Sequence, residues 1–203
     1  LEDLLQRHRP RLVYTIPNFQ NPSGACMSGA RRRRLVGLCD PYNAAILEDD
    51  YAGDLRYDGR AQPAVKALDP RGGVIYTGTF SKMLMPGLRV GYLVAEGPVY
   101  DRLVATRRFN DIATSNLIQR AVESYVTVGR YQAHVRRAGH IYRKRRDAML
   151  AAIRRYMPPG VRVDPPPGGL FIWLRLPEGV ACDALLRHAW AEGVTYAPGR
   201  GFF

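Results

Sequence analysis

Among the side chains of this sequence that could form a covalent bond with a substrate or cofactor, Lys82 is the most conspicuous. The chain has 30 basic residues, Lys and Arg together, but lysine occurs only at positions 66, 82 and 144. An amine can lose its proton and act as a nucleophile, whereas an arginine guanidinium group stays protonated in proteins. A lysine in an otherwise arginine-based chain therefore indicates a position where a deprotonatable amine is needed.

The residues around Lys82 have the composition of a phosphate-binding turn. Thr77-Gly78-Thr79-Phe80-Ser81 precedes the lysine and combines small hydroxyl side chains with backbone N–H groups, which can hold an anion. Arg89, in the segment Pro86–Gly91, follows after a short loop and could add a charge-assisted hydrogen bond to a phosphate. The sequence therefore predicts a phosphate site beside a reactive amine.

Two further polar clusters contain the remaining candidate groups. The first is the segment 17–24, Pro-Asn-Phe-Gln-Asn-Pro-Ser-Gly, which includes Asn21, and the second is Glu48-Asp49-Asp50-Tyr51. Alone, an Asn-Pro-Ser-Gly turn is common, and an acidic cluster can cap a helix or lie in a surface loop. Few cofactors need a phosphate site, a lysine and an acid together. Pyridoxal 5′-phosphate (PLP) needs all three, so the clusters predict PLP binding.

The elements that position these clusters alternate between short apolar runs and helical patterns, which predicts an α/β fold with a mostly parallel sheet and flanking helices. Ser28 is expected to cap a helix that runs to about Cys39. All four polar clusters follow strand ends, where open α/β sheets bind ligands. The predicted strands are Arg11–Thr15, Ala45–Glu48, Val74–Thr77 and Arg89–Val94.

The second half of the chain predicts a different organisation. A helical region begins at Pro98, and a longer one runs from Ser115 to about Met157 with a break near Gly129. Short strands at Val161–Val163, Leu170–Leu176 and Val194–Ala197, with a helix near Cys182–Glu192, predict a smaller α+β domain. We therefore expect residues 1–108 in a large domain, 109–157 in connecting helices, and 158–203 in an incomplete small domain.

Composition limits the other function classes. The formal net charge is +12, but no nucleic-acid-binding signature accompanies it, and the run Arg31–Arg34 is expected to form a solvated helix face. No apolar run is long enough to cross a membrane. Cys26, Cys39 and Cys182 are widely spaced, which predicts no disulfide framework, no zinc site and a reducing, cytoplasmic setting. His134 and His140 lack metal-ligand company, so no metal is expected.

The clusters resemble those of fold-type I, class I/II PLP-dependent aminotransferases. The similarity is strongest to the branch that contains 2-aminoadipate and kynurenine aminotransferases, which is shared by the C-terminal domains of MocR-type transcription regulators. It extends over essentially the whole chain. The segments that carry it are Ile16–Gly24, Glu48–Tyr57, Thr77–Val94, Gly168–Trp173 and Pro198–Phe203.

The resemblance implies a role for each candidate residue. Lys82 would form the Schiff base with PLP and, once released, would carry the proton between the substrate and the cofactor. Asp49 would pair with the pyridine nitrogen, and the matching pattern favours it over its neighbour Asp50. Asn21 and Tyr51 would hydrogen-bond the phenolic oxygen of the cofactor. The phosphate would be held by Thr79, Ser81 and Arg89.

The resemblance also implies that this chain is part of a longer protein. Family members have an upstream segment with a Gly-rich phosphate-binding helix start, an aromatic residue that stacks on the pyridine ring, and a Tyr that reaches the partner subunit. A downstream Arg binds the substrate carboxylate, and Arg200 is not assigned that role. We therefore expect the chain alone to be poorly soluble or to bind PLP weakly.

Two functions follow from the resemblance. The first is transfer of an amino group from an amino acid to a 2-oxo acid by a full-length homodimer. The alternative is the PLP- and effector-binding domain of a MocR-type regulator, which would contact DNA through a separate upstream domain. Asn21 favours the enzyme, because such regulators often differ at that Asn. Other PLP reactions at the substrate Cα remain open, because the missing substrate-binding residues decide which bond breaks.

Overall fold

A four-stranded sheet organises the first half of the protein, as seen in a computed structural model that describes residues 1–202. Its strands are β1 (Leu12–Thr15), β2 (Ala45–Asp50), β3 (Val74–Thr79) and β4 (Gly91–Val94), in that spatial order. The β1–β2 and β2–β3 pairs are parallel, and β3–β4 is antiparallel. The prediction of an α/β fold with a mostly parallel sheet is confirmed.

Three strand boundaries differ from the sequence prediction in a way that matters for function. Strand β2 extends two residues further because the parallel ladder continues through the pairs Asp49↔Thr77 and Asp50↔Gly78. Strand β3 extends to Thr79 because that residue pairs with Gly91 of the antiparallel strand β4. The fourth strand begins at Gly91 rather than Arg89. Arg89 has a left-handed backbone (φ 51°) after a 3₁₀ turn at Pro86–Leu88, and this conformation cannot continue a strand.

Helices α1 (Glu2–His8) and α2 (Gly29–Cys39) accompany the sheet. Leu5 and Leu35, one from each helix, join Ile46 and Val74 in a buried apolar cluster. The Ser28 side chain accepts a hydrogen bond from the Arg31 backbone N–H, so the predicted N-cap is confirmed.

The two faces of the sheet are covered differently by this chain. Side chains alternate between faces along a strand. On β2, Ile46 and Glu48 point to the buried face and are 2% and 0% exposed. Leu47 and Asp49 therefore point to the opposite face, where the facing Tyr14 of β1 is 57% exposed. We call this second face the open face.

Three helices follow the sheet: α3 (Gly97–Asn110), α4 (Asn116–Thr127) and α5 (Arg130–Tyr156). The predicted helical break is present at Gly129, whose positive φ of 75° separates α4 from α5. Among residues 1–202 no helix is long and apolar enough to cross a membrane.

The last part of the chain is less regular than the sequence predicted. Strands β5 (Arg162–Val163) and β6 (Leu174–Arg175) form a two-residue antiparallel pair, so the predicted strand at Leu170–Leu176 is shorter than expected. Helix α6 (Cys182–Ala191) follows. The predicted strand at Val194–Ala197 is wrong, because within the described residues no strand pairs with it. Instead, the Tyr196 hydroxyl donates to the Cys182 carbonyl oxygen at 2.7 Å. Phe203 lies outside the described residues.

Candidate functional site

The carboxyl ends of β1, β2 and β3 place three of the predicted polar clusters side by side. Because the strands are parallel and in register, Thr15 faces Glu48, and Asp49 faces Thr77. The loop with Asn21 follows β1, the acidic cluster ends β2, and the turn with Lys82 follows β3. The fold therefore brings the groups together at one edge, as open parallel sheets do at their ligand sites.

Asp49 lies on the open face and is bound by a phenol that the sequence reasoning missed. The Tyr14 hydroxyl donates to Asp49 Oδ2 at 2.7 Å. Partial burial, this hydrogen bond and the charge of Asp49 raise the pKa of Tyr14 to about 12. Tyr14 therefore stays protonated at neutral pH and acts as a hydrogen-bond donor to the carboxylate.

Asp50 has a different environment from Asp49. Its Oδ1 accepts from Asn18 Nδ2 at 3.0 Å, and its Oδ2 accepts from the Tyr76 hydroxyl at 2.8 Å. Burial and the interaction with Asp50 raise the pKa of Tyr76. Gly53 packs so closely that a Cβ there would lie 2.2 Å from Asp50 Oδ1. Both oxygens of Asp50 are thus engaged in structural contacts.

A buried arginine, Arg32, lies below the site. The prediction that the run Arg31–Arg34 forms a solvated helix face is wrong at this residue, whereas the other three arginines are exposed. Arg32 is 0% exposed, and burial lowers its pKa. It donates to the carbonyl oxygens of Met27, Pro63 and Pro17 at 3.0, 2.9 and 3.1 Å, and to Asn18 Oδ1 at 2.7 Å. Since Asn18 in turn binds Asp50, Arg32 fixes the start of the Asn21 loop relative to β2.

The loop that contains Asn21 has a compact backbone and an exposed Asn21 side chain. Phe19 has a φ of 50° and is 0% exposed. Its ring lies against the backbone of Gly168 and Gly169, where an added Cβ would approach the Phe19 side chain to 2.4 and 2.5 Å. The loop is therefore locked by packing while Asn21 faces solvent.

Tyr51 connects the acidic cluster to this loop. Its hydroxyl donates to the Phe19 carbonyl oxygen at 2.7 Å, and its ring packs against that of Phe171 with centroids 6.3 Å apart. Burial, followed by the charge of Asp49, raises the pKa of Tyr51 to about 12. The resemblance implies that the Tyr51 hydroxyl donates to a cofactor oxygen. In this structure it donates to the Phe19 backbone carbonyl oxygen instead.

The turn after β3 presents Lys82 to solvent on a fixed backbone. The Ser81 N–H donates to Thr79 Oγ1 at 3.1 Å, and the Phe80 N–H donates to the Val90 carbonyl oxygen at 3.1 Å. Lys82 is exposed, whereas the adjacent Met83 is buried. This arrangement holds the amine at the sheet edge while its neighbours remain anchored.

Arg89 lies beside the same turn. Thr79 pairs with Gly91 across the β3–β4 ladder, so Arg89 is two residues from that pair. Its guanidinium group is exposed and contacts the Pro86 carbonyl oxygen at 3.5 Å. This contact uses one of the five guanidinium N–H donors, so the others are not engaged by the fold.

Helix α5 supports the site from outside. His134 Nε2 lies 2.9 Å from the carbonyl oxygen of Met83, the residue after Lys82. The Tyr131 hydroxyl donates to Asp54 at 2.7 Å, and Arg146 forms an ion pair with Asp58 at 2.5 Å. The segments after β2 and β3 are therefore both attached to one helix. The sequence alone assigned His134 no functional role.

The carboxyl edge of this α/β sheet carries an exposed lysine, an open-face carboxylate and a hydroxyl-rich turn. Open α/β proteins bind their ligands at this edge. The chain belongs to the aminotransferase class I and II family, whose model matches residues 1–202. This finding confirms the family that the sequence motifs indicated.

Individual relatives agree with the family. Over the whole of this chain, its sequence is 42% identical to aromatic-amino-acid aminotransferase 1 of Thermococcus litoralis and 38% identical to 2-aminoadipate transaminase of Thermus thermophilus. The kynurenine aminotransferase structure from Pyrococcus horikoshii, a complex with PMP, superposes with a TM-score of 0.92 at 40% identity, covering 95% of this chain and 48% of that one.

Transcription regulators are also similar to the chain. The helix-turn-helix regulator YhdI of Bacillus subtilis is 35% identical over 98% of this chain, which spans 42% of that protein. The two aminotransferases are spanned to 50% and 52% of their length. The chain thus spans about half the length of the curated relatives it matches.

Proposed function

We propose that the protein containing this chain transfers amino groups between an amino acid and a 2-oxo acid with PLP as cofactor. The observation that best supports this function is the position of the exposed Lys82 amine, next to Thr79 and Ser81. It lies at the same sheet edge as the open-face carboxylate of Asp49. Membership of the aminotransferase class I and II family supports this reading.

The donor set of this chain fits PLP. A phosphate needs hydroxyl, N–H and guanidinium donors. The Ser81 hydroxyl and Arg89 would supply two of them, whereas the Ser81 N–H and the Thr79 hydroxyl would first have to leave Thr79 Oγ1 and the Val90 carbonyl oxygen. A protonated pyridine nitrogen needs a carboxylate, and Asp49 has one oxygen engaged by Tyr14 and a second oxygen left to accept. Asn21 is exposed at the same edge, where its amide could reach the phenolic oxygen.

The side chains of this chain would divide the work as follows. Bound PLP supplies the electron sink that stabilises negative charge at the substrate Cα. Lys82 would bind the cofactor covalently and then, as a free amine, move the proton at the substrate Cα. Asp49 would hold the proton on the pyridine nitrogen. Tyr51 and Asn21 would bind the phenolic oxygen, and for Tyr51 this requires its hydroxyl to leave the Phe19 carbonyl.

The proposal is tested on the full-length protein. Incubation with PLP followed by borohydride reduction is expected to add one cofactor to the peptide that contains Lys82. The Lys82→Ala variant is expected to lose this label and all amino transfer from amino acids to 2-oxoglutarate, while Lys144→Ala, on an exposed site of α5, keeps both. Labelling elsewhere, or turnover without Lys82, would refute the proposal.

The alternative is a PLP- and effector-binding domain of a MocR-type transcription regulator, and the similarity to YhdI supports it. Asn21 favours the enzyme, because such regulators often differ at that position. The two functions differ in their readout. A regulator would bind PLP through Lys82 without efficient turnover, and the full-length protein would bind DNA with an affinity that effectors change.

The wider setting is proposed on the same basis. We propose a cytoplasmic homodimer in amino acid metabolism. We also propose the division into a large-domain part at 1–108, connecting helices at 109–157 and part of a small domain at 158–203. Size-exclusion chromatography with light scattering of the full-length protein tests the dimer, and limited proteolysis tests the boundaries near 108 and 158.

A further inference from the structure

We propose that Tyr14 is a positioning residue for Asp49: its hydroxyl sets the orientation in which the carboxylate meets the pyridine nitrogen of PLP. This inference rests on the proposed function. The observation behind it is the hydrogen bond from the Tyr14 hydroxyl to Asp49 Oδ2 at 2.7 Å, between side chains on adjacent strands.

The register of the sheet makes this contact possible. Tyr14 faces Leu47 in the β1–β2 ladder, and Asp49 lies two residues further along β2, so both side chains point to the open face. A tyrosine ring is long enough to reach diagonally across the strand pair to the carboxylate. The contact therefore links the end of β1 to the group at the end of β2.

The hydrogen bond leaves Asp49 with one defined free acceptor. An isolated aspartate carboxylate rotates broadly about its terminal torsion, so its oxygens are not fixed. Here Oδ2 is engaged by Tyr14, while Oδ1 has no hydrogen-bond partner within residues 1–202. Because the pKa of Tyr14 is raised to about 12, the phenol remains a donor at neutral pH.

Asp50 shows that the contact is specific to the open face. It also accepts from a tyrosine, Tyr76, but on the buried face, and its other oxygen is engaged by Asn18. The two tyrosines thus make the same kind of hydrogen bond to adjacent carboxylates. Only the one at Asp49 leaves an oxygen for a ligand, which makes Tyr76→Phe a matched control for Tyr14→Phe.

The test uses the full-length protein and two ligands, PLP and its 1-deaza analogue, in which a carbon replaces the pyridine nitrogen. Loss of a hydrogen bond to a charged group weakens binding, so Tyr14→Phe should raise the Kd for PLP about tenfold. The same substitution should leave the Kd for the deaza analogue unchanged, because that ring presents no nitrogen to Asp49. Tyr76→Phe should change neither Kd by more than about twofold. Absorbance titration measures all of these constants.

Each other outcome overturns the inference. An unchanged Kd for PLP in Tyr14→Phe would show that Asp49 needs no positioning by the phenol. Equal weakening for both ligands, or a variant that fails to fold by circular dichroism, would assign Tyr14 a purely structural role. If the unsubstituted protein binds no PLP through Lys82, the proposed function fails first. If it does bind, an unaffected Tyr14→Phe variant refutes only the role of Tyr14.

Discussion

Asp49 and Asp50 are adjacent in the chain, yet their carboxylates lie on opposite faces of the sheet. Asp49 accepts from Tyr14 on the open face, and Asp50 accepts from Asn18 and Tyr76 on the other. The end of β2 therefore carries one carboxylate with an unengaged oxygen and another whose two oxygens are both engaged by the protein.

This separation predicts different consequences for two isosteric substitutions. Asp49→Asn is expected to abolish most amino transfer and weaken PLP binding while leaving stability nearly unchanged, because the open-face side chain makes one protein contact. Asp50→Asn is expected to cost about 1–2 kcal/mol of unfolding free energy, since two donors lose their charged acceptor. Urea unfolding and PLP titration of the full-length variants measure both effects. Loss of PLP binding in Asp50→Asn with stability retained would reverse the assignment.

The sequence was sufficient to predict the sheet and the clusters at its edge. The strands are short apolar runs whose positions follow from hydrophobicity and turn residues alone, so their predicted ends are wrong by at most two residues. The Val194–Ala197 strand was wrong because strand formation depends on a hydrogen-bonding partner, which an apolar run does not reveal. The same dependence explains why Leu174–Arg175 forms a much shorter strand than its sequence suggests.

The missed residues differ in how far sequence could have found them. Arg32, Leu35 and Cys39 have the i, i+3, i+7 spacing of one helix face, so the burial of Arg32 was predictable from periodicity. Alternation along β2 could likewise have separated Asp49 from Asp50. The partners Tyr14, Asn18 and Tyr76 depend on the register between strands, which no local pattern specifies.

Arg32 should be among the most sensitive positions for stability. Arg32→Met keeps much of the side-chain length but removes the donor to the Met27 and Pro63 carbonyl oxygens and to Asn18 Oδ1 in a buried site, while the Pro17 carbonyl oxygen keeps the Met27 N–H. We expect a loss of about 3 kcal/mol in unfolding free energy, typical of a broken buried polar network. Arg33→Met, on the exposed side of the same helix, is the control and should cost about 0.5 kcal/mol or less. Equal effects in urea unfolding would show that Arg32 is not an anchor.

Asp69 should make stability depend on acid pH. Although burial alone raises the pKa of this carboxyl, backbone donors such as Val74 and Arg71 and the charge of Lys66 outweigh it, so the pKa is lowered below 3.8. A lowered folded-state pKa gives stability that is present above the unfolded value and lost as pH falls through the folded value. Asp69→Asn should therefore be less stable than the parent at pH 7, and this difference should shrink as pH falls below 3.8. A pH-independent difference in urea unfolding would contradict this linkage.

Arg89 should contribute to phosphate binding through its charge. It lies beside the Thr79–Ser81 turn, is exposed, and makes a 3.5 Å contact to the Pro86 carbonyl oxygen, so its guanidinium is not committed to the fold. Arg89→Gln is expected to raise the Kd for PLP about tenfold, in line with loss of one charge-assisted hydrogen bond. The Kd for pyridoxal, which lacks the phosphate, should stay within about twofold, and Arg60→Gln on the exposed loop after β2 should change neither constant. Weaker binding of both ligands by Arg89→Gln would show that the residue shapes the turn instead of contacting the phosphate.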